Sequence, residues 1–588
     1  MTDASCALSP TPTIYRLSIE RFRGIKALEW QPAKGMNVIL GGGDAGKTTI
    51  LDAIALLLSP INPANLSDTD YHARDIDAGF FVEAILSLPS NTGVNNQVKT
   101  AWPWEWSGSD ISVPGLEDDG KTTGEPVYRV RVRGTEDLEL AYEILQPDGS
   151  IDTFPVALRR SIGLVRLSGD DRNDRDLRLV QGSALDRLLS DKGLRSRMAS
   201  ELAKSDIKDE LTPDARTTLT DLDTTFKEAS LPSGLDLAIT GGQGASIASM
   251  IGLTADRNGV RLPLASWGAG TRRLSALAIA EQNQGEAPIT IVDEIERGLE
   301  PYRQRTLVEK LQFGKSQVFV TTHSPAAISA ASKSALWYVD HAGGIGPLDA
   351  IKIDKHRKAD PETFLARIAI IAEGATEVGF TTTLLERALS SSLEEHGVHV
   401  SDGGGHETTL ELLEALAGGG LLFAGFADDE NKHPQRWKNL EVKLGPLLFR
   451  WPSLCIEENI IALVPDEKLE AFVADPAGVK TGMRLRTLAD RLGSEDKDFA
   501  SLKEKAGGGL KALIVQAALG LVPAGKEGEK HRYKSQASTW FKTTDGGREL
   551  AGKVFSLQLW PTLRPQLLPF CNAVRRAVGL SEIPESSK

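Results

Sequence analysis

The chain has 588 residues, 41% hydrophobic and 25% charged, with a net charge of −13. At about 150 residues per domain this length calls for three or four folding units, and no apolar run reaches the ~20 residues that a membrane span needs. The acidic balance excludes indiscriminate coating of nucleic acid, so any DNA contact must be regional.

The best basic stretch is 525–542, with Lys526, Lys530, Arg532, Lys534 and Lys542. The N-terminus carries no basic segment followed by an apolar core, and Cys6, Cys455 and Cys571 are scattered without metal-ligand spacing. Both features predict a cytoplasmic protein with no membrane partner.

In chain order, "TIYRLSIERFRGIKALEWQPAKGMNVILGGGDAGKTTILDAIALLLS" predicts strands, a glycine-rich turn and a buried helix, the opening of an α/β nucleotide domain. Residues 91 to 126, rich in Gly, Pro, Ser and Trp, predict a surface insertion. From 172 to 229 the pattern turns helical and charged, which predicts an inserted arm. Apolar strands resume at "APITIVDE" and "SQVFVTTHS", and "HAGGIGPLDAIKIDKHRKADPETF" crosses into a second domain. The predicted segments are 1–171 and 230–355 for the two parts of the ATPase, 172–229 for the arm, and 360–588 for the second domain with C-terminal helical elements.

"GGGDAGKTT" fits G-x-x-x-x-G-K-[ST] between a strand and a helix, the context that the phosphate loop requires. Gly41, Gly43, Asp44, Ala45 and Gly46 let backbone N–H groups curl around phosphates. Lys47 approaches the β and γ phosphates, and Thr48, followed by Thr49, can ligate Mg²⁺ at the helix start. In "ITIVDEIERGLEP" a strand ends in Asp293, a Mg²⁺ carboxylate, and Glu294, which orients the attacking water. His323, after "VFVTT", is placed to sense the γ-phosphate. Ser266, Gly268 and Gly270 precede a helix and offer a second phosphate-binding surface.

Further on, "RIAIIAEGATEVGF" predicts a buried strand, a turn at Gly374 and a helix, with Glu373 at the strand tip and Glu377 in the first helical turn. A second strand, "GLLFAGFADDE", ends in Asp428, Asp429 and Glu430, and the run "PLLFRWPSLCIEENIIAL" leads to Glu457 and Glu458. Carboxylates gathered at one end of parallel strands repel unless cations neutralise them. Hard oxygen ligands select Mg²⁺ or Mn²⁺, and two such ions can clamp the oxygens of a phosphodiester. His406 in "DGGGHETT" reads as a polar loop residue outside this site.

Residues 14 to 345 resemble the ABC-type ATPases of the RecF and structural-maintenance-of-chromosomes group. That resemblance implies ATP as cofactor and a homodimer, formed through the ATPase domain and the arm, in which Ser266 and Gly268 act in trans. No glutamine stands at the expected coupling position, Gln97 lying in the irregular insertion. The acidic second half resembles the TOPRIM fold. ABC ATPase followed by TOPRIM is the architecture of the OLD (overcoming lysogenization defect) nucleases, and the chain is similar to their class 2, Gabija-like members. The fold class expected is therefore α/β: a P-loop ATPase with an inserted arm, then a Rossmann-like TOPRIM domain.

The resemblance implies ATP-regulated, metal-dependent DNA cleavage or nicking, in phage defence or DNA processing, with a UvrD-like helicase as a further partner. It implies Glu373, Glu377, Asp428 and the 457 to 458 pair as ligands of Mg²⁺ or Mn²⁺, or of Ca²⁺ in a mixed two-metal site. Either Asp429 or Glu430 supplies the second acidic position of the strand end, and Lys542, with Lys534 as competitor, supplies a transition-state lysine. The alternative is an ATP-gated DNA clamp, or a defence-complex subunit, whose TOPRIM domain is catalytically weak.

Overall fold

The computed structural model describes residues 11–43, 45–60, 66–88, 103–113, 125–167, 176–180, 183–189, 208, 211–239, 251–282, 288–340, 343–417, 420–429 and 431–584. The chain divides into two compact units, Met1–Ala350 and Ile351–Lys588. Among the described residues no helix is long and apolar enough to cross a membrane.

The first unit holds a six-stranded sheet in the order Val165–Leu167, Thr290–Val292, Val318–Thr321, Met36–Gly41, Ala335–Val339 and Ile345–Leu348. The first five strands run parallel and the last is antiparallel. Strands buried on both faces need unbroken apolar runs, which is how "TIV" and "VFV" read. Because Val318–Thr321 lies between Thr290–Val292 and Met36–Gly41, the carboxyl ends that carry Asp293, His323 and the phosphate loop are neighbours.

A second sheet is antiparallel, with Ile25–Trp30, Thr13–Phe22, Phe80–Ser87 and Glu125–Gly134 adjacent in that order. Trp104–Trp106 pairs with both Ile111–Ser112 and Glu125–Gly134. Part of the expected surface insertion is therefore strand, held by main-chain bonds to its neighbour; 91–102 and 114–124 lie outside the described residues.

Of the expected arm, Ala184–Leu189 and Pro213–Glu228 are described as helices, and 190–207 lies outside the described residues. Pro213–Glu228 starts on the Thr212 side-chain cap with proline in its first turn, and buries Ala215, Leu219, Leu222 and Phe226. It packs on Ala269–Gln282 of the same unit. The four buried residues of this helix therefore face the ATPase unit's own core.

The second unit is built on four parallel strands in the order Val398–Asp402, Ile368–Ala372, Phe423–Ala427 and Leu448–Arg450. Numbered along the chain this is 2-1-3-4, so connections diverge to opposite sides between Ile368–Ala372 and Phe423–Ala427. All five residues of each of these two strands are buried. Helix Ala375–Leu389 buries Phe380, Leu384 and Leu385 against this core, each worth ~1.5–3 kcal/mol of hydrophobic burial.

That helix crosses helix Thr544–Ser556 with the backbones nearly touching. A Cβ on Gly379 would lie 1.9 Å from the Thr544 carbonyl oxygen, and one on Gly547 would lie 2.0 Å from that of Thr376. Only glycine fits at either position, and the contact seats the 541–544 segment beside the first turn of Ala375–Leu389.

Candidate functional site

In the first unit, Gly46 takes a left-handed φ of 92° as it enters helix Lys47–Leu58, a conformation that favours glycine. Lys47 is buried, and its ammonium donates to the carbonyls of Gly41 at 2.9 Å and Gly42 at 2.6 Å. The Thr48 hydroxyl lies 3.3 Å from Asp293 Oδ1, so the phosphate-loop threonine and the strand-end carboxylate share one spot. Thr321 donates to the same Oδ1 at 2.6 Å and accepts the Glu294 N–H at 2.8 Å.

Glu294 itself sits at φ 49°, a left-handed position uncommon for a residue with a side chain. Buried Arg273 holds this turn by donating to the carbonyls of Asp293 and Glu294, and burial pulls its pKa down to about 10. Glu296 accepts from the Thr322 hydroxyl and from the His323 N–H, both at 2.7 Å. Asp44 lies outside the described residues. Ser266 and Gly268 are exposed, and Gly270 packs so closely on Gly298 that a Cβ would meet its carbonyl oxygen at 2.0 Å.

In the second unit a cleft of about 740 Å³ opens at the carboxyl ends of the parallel strands. Glu373, Glu377, Asp402, Asp428, Asp429 and Glu458 line it together with Lys542. Glu373 and Asp428 stand on the two strands at the switch point, where open α/β sheets bind their ligands. Glu373 Oε2 accepts the Asp428 N–H at 3.0 Å, and Asp428 Oδ1 accepts the Ile456 N–H at 3.0 Å. Behind them Glu457 is fully buried and pairs with the Lys542 ammonium at 2.9 Å; the Thr376 hydroxyl reaches it at 3.3 Å.

Burial, then the charge of Glu457, pushes the Glu377 carboxyl up to about 7. Burial also lifts Asp428 to about 9, with Glu377, Glu373 and Glu457 adding repulsion. Burial opposes the Lys542 ammonium, but Glu457 and Glu377 outweigh it and hold its pKa above the ordinary lysine range. Buried Glu377 Oε1 and Glu457 Oε2 have no hydrogen-bond partner. As the side chains stand, no three His, Cys, Asp or Glu residues among those described are disposed to hold a metal ion. Backbone N–H groups engage Glu373 and Asp428, and Lys542 engages Glu457.

Residues 36–329, half of the chain, match the family described as "AAA domain, putative AbiEii toxin, Type IV TA system". The chain belongs to this AAA-domain family. A 46-residue stretch, 8% of the chain, is 44% identical to the DNA replication and repair protein RecF of Teredinibacter turnerae, of which it spans only 12%. Among solved structures, the Smc head domain with an extended coiled coil bound to the C-terminal domain of ScpA, from Pyrococcus furiosus, is 16% identical. That likeness covers 59% of this chain and 99% of that one, with a TM-score of 0.40. The recombination mediator protein RecF-ATP is 12% identical over 58% of this chain and 99% of its own, with a TM-score of 0.34.

The AAA-domain unit therefore accounts for the nucleotide motifs, and the family match ends before the carboxylate cleft begins. The structure gathers Glu373, Glu377, Asp428 and Lys542 at the cleft, with Glu457 buried behind them. Lys534 lies on helix Lys530–Gln536, exposed, with its backbone against Gly520, and is not one of the residues that line the cleft. Asp429 is ion-paired with Arg450 at 2.8 Å, and Glu430 lies outside the described residues.

The expected third acidic strand end is not one. The strand stops at Arg450, and Glu457 and Glu458 occupy the first turn of helix Ile456–Leu463. Glu458 accepts the Cys455 N–H at 3.1 Å in a capping box, an arrangement that Cys, Glu and a following apolar run do not announce as plainly as Ser or Thr would. His406 is a buried helix-start residue beside Glu373 rather than an outlying loop residue. Sequence reasoning also missed Asp402, Thr376, Thr321, Arg273 and Glu296. For Asp402 a signal existed, since it ends an apolar alternation just before "GGG".

Proposed function

We propose that this chain is an ATP-regulated, divalent-metal-dependent DNA nuclease of the OLD type, in which an ABC-type ATPase unit of the RecF and SMC kind controls a TOPRIM unit. The observation that carries the reading is the set of four buried carboxylates, Glu373, Glu377, Asp428 and Glu457, collected with Lys542 at the switch point of a parallel sheet. Such a concentration of acid is costly without cations. The raised carboxyls of Glu377 and Asp428 and the partnerless oxygens of Glu377 and Glu457 are what a divalent ion would relieve.

Oxygen-only donors suit Mg²⁺ or Mn²⁺. Glu373, Glu377, Asp428 and Glu457 would hold the ions, with Asp402 and Asp429 at the rim. Bound there, the metal supplies charge neutralisation and a nucleophilic water at neutral pH. The chain's own contributions are positional. The Asp428 and Ile456 N–H groups fix two carboxylates, and Lys542 places a cation where the phosphodiester's negative charge would otherwise meet only acid.

In the ATPase unit Lys47 and Thr48 bind nucleotide phosphate, Asp293 with Thr48 holds its Mg²⁺, Glu294 orients water, and His323 reads the γ-phosphate. The exposed Ser266 and Gly268 complete the site of a second copy. A cytoplasmic homodimer acting on DNA, in phage defence alongside a helicase partner, fits this reading.

The second reading, an ATP-gated DNA clamp, is favoured by one observation: the Lys542 ammonium is already paired with Glu457, one of the proposed ligands. Manganese-dependent cutting of supercoiled plasmid separates the two. The nuclease reading expects cleavage that Glu373→Ala abolishes; tight ATP-sensitive DNA binding with no cutting in any divalent metal selects the clamp.

A further inference from the structure

Next to Glu373 lies a residue that sequence reasoning set aside. His406 opens helix His406–Leu416 after Gly405, whose φ of 101° suits only glycine, and the Gly405 N–H donates to the Glu373 carbonyl at 2.8 Å. This turn folds the His406 ring under the strand tip, where its side chain is 6% exposed. On one side the Trp437 indole, fully buried, donates to His406 Nε2 at 3.4 Å. On the other, Nδ1 lies 3.6 Å from Glu373 Oε2 and has no hydrogen-bond partner of its own.

The chemistry fixes the direction. An indole nitrogen can only donate, so Nε2 must accept, and the neutral ring then carries its proton on Nδ1, facing the carboxylate. Glu373 Oε2 already accepts the Asp428 N–H, so a second donor on the same oxygen would lock the carboxylate's plane. The His433 ring lies nearly parallel to that of His406, 6.4 Å between centroids, and is itself tied to Glu407 at 2.7 Å.

We propose that His406 is a positioning residue: held by Trp437 in its Nδ1–H form, it orients Glu373 for metal. The proposal rests on the nuclease reading for its purpose, but the Trp437–His406 bond and the 3.6 Å approach of Nδ1 to Glu373 stand on geometry alone. Ligand-orienting partners of this kind typically change metal affinity by about 10- to 100-fold when removed.

Two readouts on the full chain test it. The first is ring-nitrogen NMR of histidine-labelled protein without metal: the proton must sit on His406 Nδ1 and move to Nε2 or exchange in Trp437→Phe. An Nε2–H ring in the wild type overturns the proposal whatever the enzyme does. The second is Mn²⁺ titration of two variants. His406→Asn keeps a donor near the Nδ1 position, and His406→Gln keeps one near Nε2. Asn holding affinity within about threefold while Gln loses about tenfold or more is the expected result. Gln rescuing where Asn fails would make His406 a mere prop against Trp437 and would overturn the positioning role. A wild type that takes up no Mn²⁺ would sink the nuclease reading, while the tautomer still decides the relay.

Discussion

Lys542 and Glu457 form an ion pair of 2.9 Å in which the carboxylate is fully buried and the ammonium reaches the cleft, its side chain 39% exposed. Removing one partner of a buried pair leaves an uncompensated charge, a loss of about 3–5 kcal/mol when both are enclosed; water at the lysine reduces this to about 2 kcal/mol. Lys542→Met should therefore destabilise the second unit by that order, and adding Glu457→Gln should restore most of it. Chemical denaturation of the two variants checks this, and equal stability for the single and double variants would contradict it.

The helix crossing that delivers Lys542 depends on two glycines. Gly379→Ala or Gly547→Ala must push Ala375–Leu389 and Thr544–Ser556 apart, because each new methyl would meet a carbonyl oxygen at about 2 Å. Overpacking of this kind costs about 1–3 kcal/mol, here with no flexible neighbour to yield. Both variants should lower the melting temperature and, by drawing Lys542 from the cleft, any cleavage activity. Gly552→Ala on the same helix, which meets nothing within 4 Å, is the control and should hold or raise the melting temperature, since alanine is the better helix former by about 0.5–1 kcal/mol.

Stability should fall as pH rises. Asp428 is held at about 9 and Glu377 at about 7, both above their unfolded values of 3.8 and 4.5. Across that window the folded chain binds more protons than the unfolded one, so each step up in pH favours unfolding, by at most about 1.4 kcal/mol per proton per unit. Without metal the second unit should melt lower at pH 8.5 than at pH 5.5. Asp428→Asn should flatten the dependence, and Mn²⁺ should remove it. A melting temperature that rises with pH, or an Asn variant with the wild-type slope, counts against the cluster as described.

Nucleotide binding depends on a separate set. On the proposed reading Lys47→Ala and Asp293→Asn should each weaken ATP binding by tenfold or more, since they would remove a charged phosphate contact and a Mg²⁺ carboxylate, effects of about 1.5–3 kcal/mol. Thr321→Val should act through Asp293 and Glu294, both of which it bonds, and give a smaller loss. Titration with a fluorescent ATP analogue measures all three.

What the sequence disclosed follows the range of the interactions. The phosphate loop, Asp293, Glu373 and Asp428 are legible because each ends an apolar strand with a local turn behind it. Glu457 was visible as acid but not as a helix residue, because Cys455 is a weak cue for a cap. Lys542 could be named only through family resemblance: its arrival beside Glu457 depends on Gly379 and Gly547, 168 residues apart in the chain, which no periodicity connects. His406 was discounted for the same reason, since Trp437 lies 31 positions away.

Nuclease activity under ATP control is tested by conversion of supercoiled plasmid to nicked and linear forms in Mn²⁺, with wild type, Glu373→Ala and Lys47→Ala run side by side with and without ATP. The wild type should cut, Glu373→Ala should not, and Lys47→Ala should cut without responding to ATP, which would separate chemistry in the second unit from control in the first. Equal cutting by wild type and Glu373→Ala would contradict the nuclease reading.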